Sequence, residues 1–81
     1  MEISIYTVAL ALFAMQRDIK FHEQECSNTA LSAEERDEHG QYVLDLTQAF
    51  GEMRMIYQDL LQQHPEMSAI EELDQQIARY C

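Results

Sequence analysis

Four residues are spaced as metal ligands would be. His22 and Cys26 stand four apart, and so do Glu35 and His39. Residues four apart share one face of a helix. If the two stretches form neighbouring antiparallel helices, both pairs lie beside the same connecting loop. Two imidazoles, a thiolate and a carboxylate make a workable tetrahedral zinc set. The pattern is nonspecific, because the chain holds no CxxC or HExxH spacing. The simpler reading makes these residues part of a packed helix seam plus a capping carboxylate. The expectation is therefore no bound metal and no other cofactor.

Catalytic arrangements are missing from the sequence as well. It shows no Gly-rich phosphate loop, no nucleophile elbow and no Ser/His/Asp arrangement. The Glu-x-x-His pair of di-iron bundles is also absent. Carboxylates are plentiful, but so small a helical assembly rarely encloses a dry pocket that would perturb them. An enzyme is not expected.

The other chemistry is electrostatic and apolar. Glu38, Asp45, Glu52, Asp59 and Glu66 recur every seven residues. Seven residues advance ~10.5 Å along a helix and drift only ~20° around it, so the four acids expected on the second helix form a ladder, while Glu66 stands just past Pro65 and outside it. The plain reading is a solvated flank; the sharper ones are a docking strip for a basic partner or a mimic of nucleic acid. A DNA strand carries a phosphate every ~3.4 Å, so the ladder matches only about every third one, and mimicry would need Asp18, Glu23 and Glu25 too. Beside the ladder, Leu44 and Met55 form a narrow line with Gln48 and Gly51, and Leu61 also falls outside the expected seam. Flexible Met suits an irregular partner surface. On the first helix Leu10, Phe13 and Phe21 make a second apolar stripe.

The elements that must position these residues are three helices. Helix 1 is expected over about 3–26. Its seam is Ile5, Val8, Leu12, Met15, Ile19, His22 and Cys26, a 3-4-3-4 spacing. A helix with two apolar faces needs two neighbours, which makes it the central element. Ser27 to Leu31 form the first connection. Ser32-Ala-Glu-Glu then reads as a capping box, with Glu35 reaching back to the Ser32 amide. Helix 2 is expected over about 33–63, with a seam of Tyr42, Leu46, Ala49, Met53, Ile56 and Leu60 widened by Val43, Phe50 and Tyr57. Gly51 reads as a close crossing, a bend or a tolerated surface residue. His64-Pro65 ends the helix. A second capping box, Ser68-Ala-Ile-Glu71, opens helix 3 over about 69–80, with Ile70, Leu73, Ile77 and Tyr80 on one face. The fold class is all-α: a long antiparallel helical hairpin with a short third helix, a small three-helix bundle.

Composition agrees. The 81 residues allow a single domain, and only two Gly and one Pro leave few turns for a sheet protein. Fifteen acids against five bases give a net charge of −10. That argues against direct binding of nucleic acid or an anionic membrane, which both need Lys and Arg. The apolar run from Ile3 to Met15 is too short to span a bilayer, and Glu2 stands where a signal peptide would be basic. Two cysteines make no disulfide framework, so the default location is the reducing cytoplasm.

The function expected is a small acidic protein–protein interaction module, a regulator or inhibitor occupying a partner surface. Leu44, Met55, Asp45, Glu52, Asp59, Glu38, Leu10, Phe13 and Phe21 are its candidate binding residues. The alternative is an acidic inhibitor that mimics nucleic acid and blocks a basic groove. By size and charge alone, the chain is similar to small phage-encoded anti-defence inhibitors and to helical secretion co-chaperones. Uncovered apolar residues also suggest a homodimer or a constitutive partner.

Overall fold

A computed structural model describes residues 3–81; Glu2 lies outside them. Helix α1 spans Ile5–Cys26, α2 spans Ala33–Leu61 and α3 spans Ile70–Tyr80. Ser4 opens α1: its hydroxyl accepts from the Tyr6 amide at 3.1 Å and satisfies one orphan donor. Ser4 therefore shifts the start from the expected residue 3 to Ile5. The connection at 27–32 is tied internally, since Asn28 Oδ1 accepts from the Ala30 amide.

The Ser32 cap forms with one difference from expectation. The Glu35 amide donates to Ser32 Oγ at 3.1 Å, but the Glu35 carboxylate accepts from the Ser32 hydroxyl rather than from its amide. Helix α2 ends at Leu61, two residues short of expectation. The amides of Gln63 and His64 donate to Leu60 and Leu61, three residues back. Bonds of that span tighten the last turn, so the chain leaves the helix before Pro65 is reached.

The expected capping box at Ser68 does not form. The N-cap of α3 is Ala69, which has no side-chain cap. The Ser68 carbonyl is instead engaged by the hydroxyl of Tyr57 at 2.6 Å. A buried phenol needs a partner, and this one sets where the chain turns into α3.

The core occupies one end of the hairpin. Ile5, Val8, Leu12, Tyr57, Ile70, Leu73 and Ile77 form one buried cluster, with Ala9, Phe13, Phe50, Met53, Leu60, Leu61 and Met67 packed around it. Here α3 fits against both long helices. Arg54 on α2 adds a bidentate ion pair with Asp74 on α3. The pair raises the already high pKa of the guanidinium, mainly through that hydrogen bond. Toward the loop, α3 has ended. Ile19 is the buried apolar side chain that remains there, and the helices are joined by His22, His39 and Tyr42.

The expected seam of α1 is the observed one. That of α2 is rotated. Tyr42 and Ile56 are exposed, while Val43, Phe50 and Tyr57 turn inward. The true row is Arg36, His39, Val43, Leu46, Phe50, Met53, Tyr57 and Leu60, again spaced 3-4. Gly51 faces open space, with nothing within 4 Å of a Cβ added there. It is a surface glycine and not a close crossing point. The molecule measures 47 × 28 × 14 Å over its Cα atoms. So thin a slab leaves each helix a broad outward face.

Candidate functional site

The 3.6-residue turn puts the inward row of α2 on one side and its remaining residues on the other. On that outward half, Glu38, Asp45, Glu52 and Asp59 are all exposed. They run down the helix as one line, ~10.5 Å apart. Gln41 donates to Asp45 at 3.0 Å and fixes one rung. Glu66, the fifth acid, lies between α2 and α3 and accepts from His64 at 3.0 Å. Its own backbone amide and then His64 hold its carboxyl below the usual range.

Apolar side chains border the acid line on both sides. Leu44 and Met55, 11 residues or about three turns apart, are each 66% exposed. Tyr42 and Ile56, four residues beyond Glu38 and Glu52, are exposed on the opposite border. Glu38, Gln41, Tyr42 and Asp45 line a shallow groove of about 430 Å³. An aromatic ring between two carboxylates suits a Lys or Arg side chain, by ion pairing and by cation–π attraction.

The stripe on α1 is not one surface. Leu10 is 70% exposed and Phe21 half exposed. Phe13 is half-buried against the core, and its carbonyl faces the Cys81 thiol 3.6 Å away. It lies about 60° or more around the helix from the other two, on the side that α3 covers. Phe13 is therefore a packing residue rather than part of an exposed docking stripe. Leu61 is also half-buried against the core. A groove of about 570 Å³ runs beside Phe21, lined by Ala14, Met15, Arg17, Asp18 and Leu46.

The four metal candidates come together only in part. His22 Nδ1 and His39 Nδ1 lie 2.7 Å apart across the helix pair. Glu35 is exposed and bonded to Ser32. Cys26 is half-buried, its sulfur 3.8 Å from where a Cβ on Gly40 would stand. Among the described residues, no three His, Cys, Asp or Glu side chains gather closely enough to hold a metal.

Sequence reading missed Tyr42 and Ile56 as surface groups because it placed them in the seam. It missed the Arg54–Asp74 and Tyr57–Ser68 links because each joins residues that no local spacing relates. Among the described residues, no helix is long and apolar enough to cross a membrane. No protein-family model, curated protein or solved structure matches the chain.

Proposed function

We propose that this chain is a non-enzymatic protein–protein interaction module, and that the outward face of α2 receives a basic amphipathic helix of a partner. One observation carries the reading: a continuous acid line, Glu38 to Asp59, bordered on both sides by exposed Leu44, Met55, Tyr42 and Ile56. A solvated flank needs the acids but not the large apolar groups beside them. An amphipathic helix docks its apolar side chains at three- and four-residue intervals. Its Lys and Arg would then fall on the carboxylates, and the −10 net charge would speed the encounter.

The competing reading is an acidic inhibitor that imitates nucleic acid. It uses the same carboxylates and no apolar groups. Binding kinetics of a partner recovered from the native host separate the two. Changing Leu44 and Met55 to Gln should cost about 2 kcal/mol or more, roughly thirtyfold in affinity. Changing Asp45, Glu52 and Asp59 to their amides should mainly slow association, with a smaller loss of affinity. Raising salt should weaken binding only modestly. If the amide variant loses more affinity than the apolar one, and salt weakens binding steeply, the charges carry the interaction and the docking reading fails.

A further inference from the structure

The loop end of the hairpin is held by a pair of histidines rather than by a dry core. His22 on α1 and His39 on α2 direct their Nδ1 atoms at one another, 2.7 Å apart. At that distance one nitrogen carries the proton and the other accepts it. On the far side of the His22 ring, Asp18 Oδ2 lies 3.5 Å from Nε2. The carboxylate favours a proton on Nε2, which leaves His22 Nδ1 as the lone pair and His39 Nδ1–H as the donor.

The rings are held in place by aromatic neighbours. Tyr42 stacks on His22 at 4.9 Å, and Phe21 meets His22 and His39 edge-on at 5.1 and 6.0 Å. The His22 side chain is only 13% exposed. Two imidazole nitrogens 2.7 Å apart, with a carboxylate 3.5 Å from the far nitrogen of one ring, offer two donors for a metal and a charge behind one of them.

We propose that His22 and His39 form a two-imidazole site for a borderline divalent transition-metal ion, represented by Zn²⁺. Imidazole suits zinc, copper and nickel and disfavours magnesium or calcium. Metal–nitrogen bonds of 2.0–2.1 Å at a tetrahedral angle place the two nitrogens about 3.3 Å apart. The pair must therefore open by about 0.6 Å, a small swing about the broad terminal torsions of the two rings. The proton between the rings moves from His39 Nδ1 to its Nε2, so no net proton is gained or lost when both rings are neutral.

The surrounding charge favours a dication. Within four residues of the two histidines stand Asp18, Lys20, Glu23, Glu25 and Cys26 on α1 and Glu35, Arg36, Asp37, Glu38 and Tyr42 on α2, six carboxylates against two cations. No third protein ligand stands in place among the described residues. The remaining coordination positions fall to water or to a donor on a bound partner. Such a site fills and empties reversibly in a chain already folded without it. It differs in this from the closed four-ligand zinc centre that the sequence spacing suggested.

Calorimetric titration of the full chain with Zn²⁺ near neutral pH tests the site. One ion per chain should bind, with affinity at least tenfold weaker in His22→Gln and in His39→Gln. His64→Gln, which alters the third histidine away from the pair, should bind as the parent does. Nitrogen-15 spectra of the parent protein supply a readout that needs no variant: Zn²⁺ should shift Nδ1 of both His22 and His39. Heat without those shifts, equal loss in His64→Gln, or no binding at all would overturn the proposal.

Discussion

Replacing Tyr57 by Phe removes one hydroxyl and leaves the ring in place. The side chain is 0% exposed within the core cluster. Its hydroxyl donates to the Ser68 carbonyl at 2.6 Å, eleven residues on. Phe keeps the apolar packing, so no cavity opens, and the loss is confined to that bond. A hydrogen bond is worth about 0.5–1.5 kcal/mol net, and a buried partner left alone costs about 1–3 kcal/mol. Ser68 is half-buried, so water repairs part of the loss. The expected cost is about 1–2 kcal/mol, out of a total of roughly 4–12 kcal/mol for a chain this size. At about 4–8 °C per kcal/mol, Tm should fall by roughly 4–16 °C. Urea unfolding should show a lower midpoint with an unchanged slope.

The same substitution has a pH signature. Burial, and secondarily Glu72, raises the Tyr57 pKa above its ordinary value near 10. A group whose folded pKa is raised contributes stability that is fully present below the unfolded pKa. That contribution is lost as pH rises through the folded value. The gap between parent and Tyr57→Phe should therefore narrow above about pH 10. Tyr42→Phe, an exposed ring, should change stability by less than about 0.5 kcal/mol. If Tyr57→Phe matches the parent at neutral pH, the Tyr57–Ser68 link does not hold α3, and the account of its placement is wrong.

Gly51→Ala should stabilise the chain by about 1 kcal/mol, because a mid-helix glycine is replaced where an added Cβ meets nothing; an unchanged urea midpoint would contradict this. A double-mutant cycle with Arg54→Gln and Asp74→Asn should give a coupling below about 1 kcal/mol that shrinks in salt, since both side chains are over one-third exposed. A larger, salt-resistant coupling would mean that the ion pair is shielded. Leu44→Gln with Met55→Gln should leave the urea midpoint nearly unmoved, since exposed substitutions fall within about 0.5 kcal/mol each; a large drop would mean that this face is covered within the folded chain. Light scattering at micromolar concentration should show a dimer, or a monomer that binds apolar dyes, and a monomer that binds no dye would count against a docking surface.

Much of the architecture is legible in the chain itself. The seam of α1 follows from its apolar period, because each of its buried positions is Ile, Val or Leu. The Ser32 cap and the stop before Pro65 follow from local chemistry that needs no distant residue. The line of four acids on α2 is likewise a property of spacing, and it keeps its place whichever way the helix turns.

Which face of α2 looks inward is a different kind of fact. Two rows compete, offset by about 50° around the helix and sharing Leu46, Met53 and Leu60. Tyr42, Leu46, Ala49, Met53, Ile56 and Leu60 are wholly apolar, whereas the buried row begins with Arg36 and His39. Apolar content alone selects the wrong one. The choice is decided by α1 and α3: burying Tyr57 completes the core with Ile70, Leu73 and Ile77 and gives its hydroxyl the Ser68 carbonyl. It also carries His39 onto His22. The same rotation puts Tyr42 and Ile56 at the border of the acids, and the core under α3 takes up half of Phe13. Period and capping act within a few residues and can be read there. Helix rotation is set by side chains that meet across about 11 to 52 residues of chain, and only their packing together decides it.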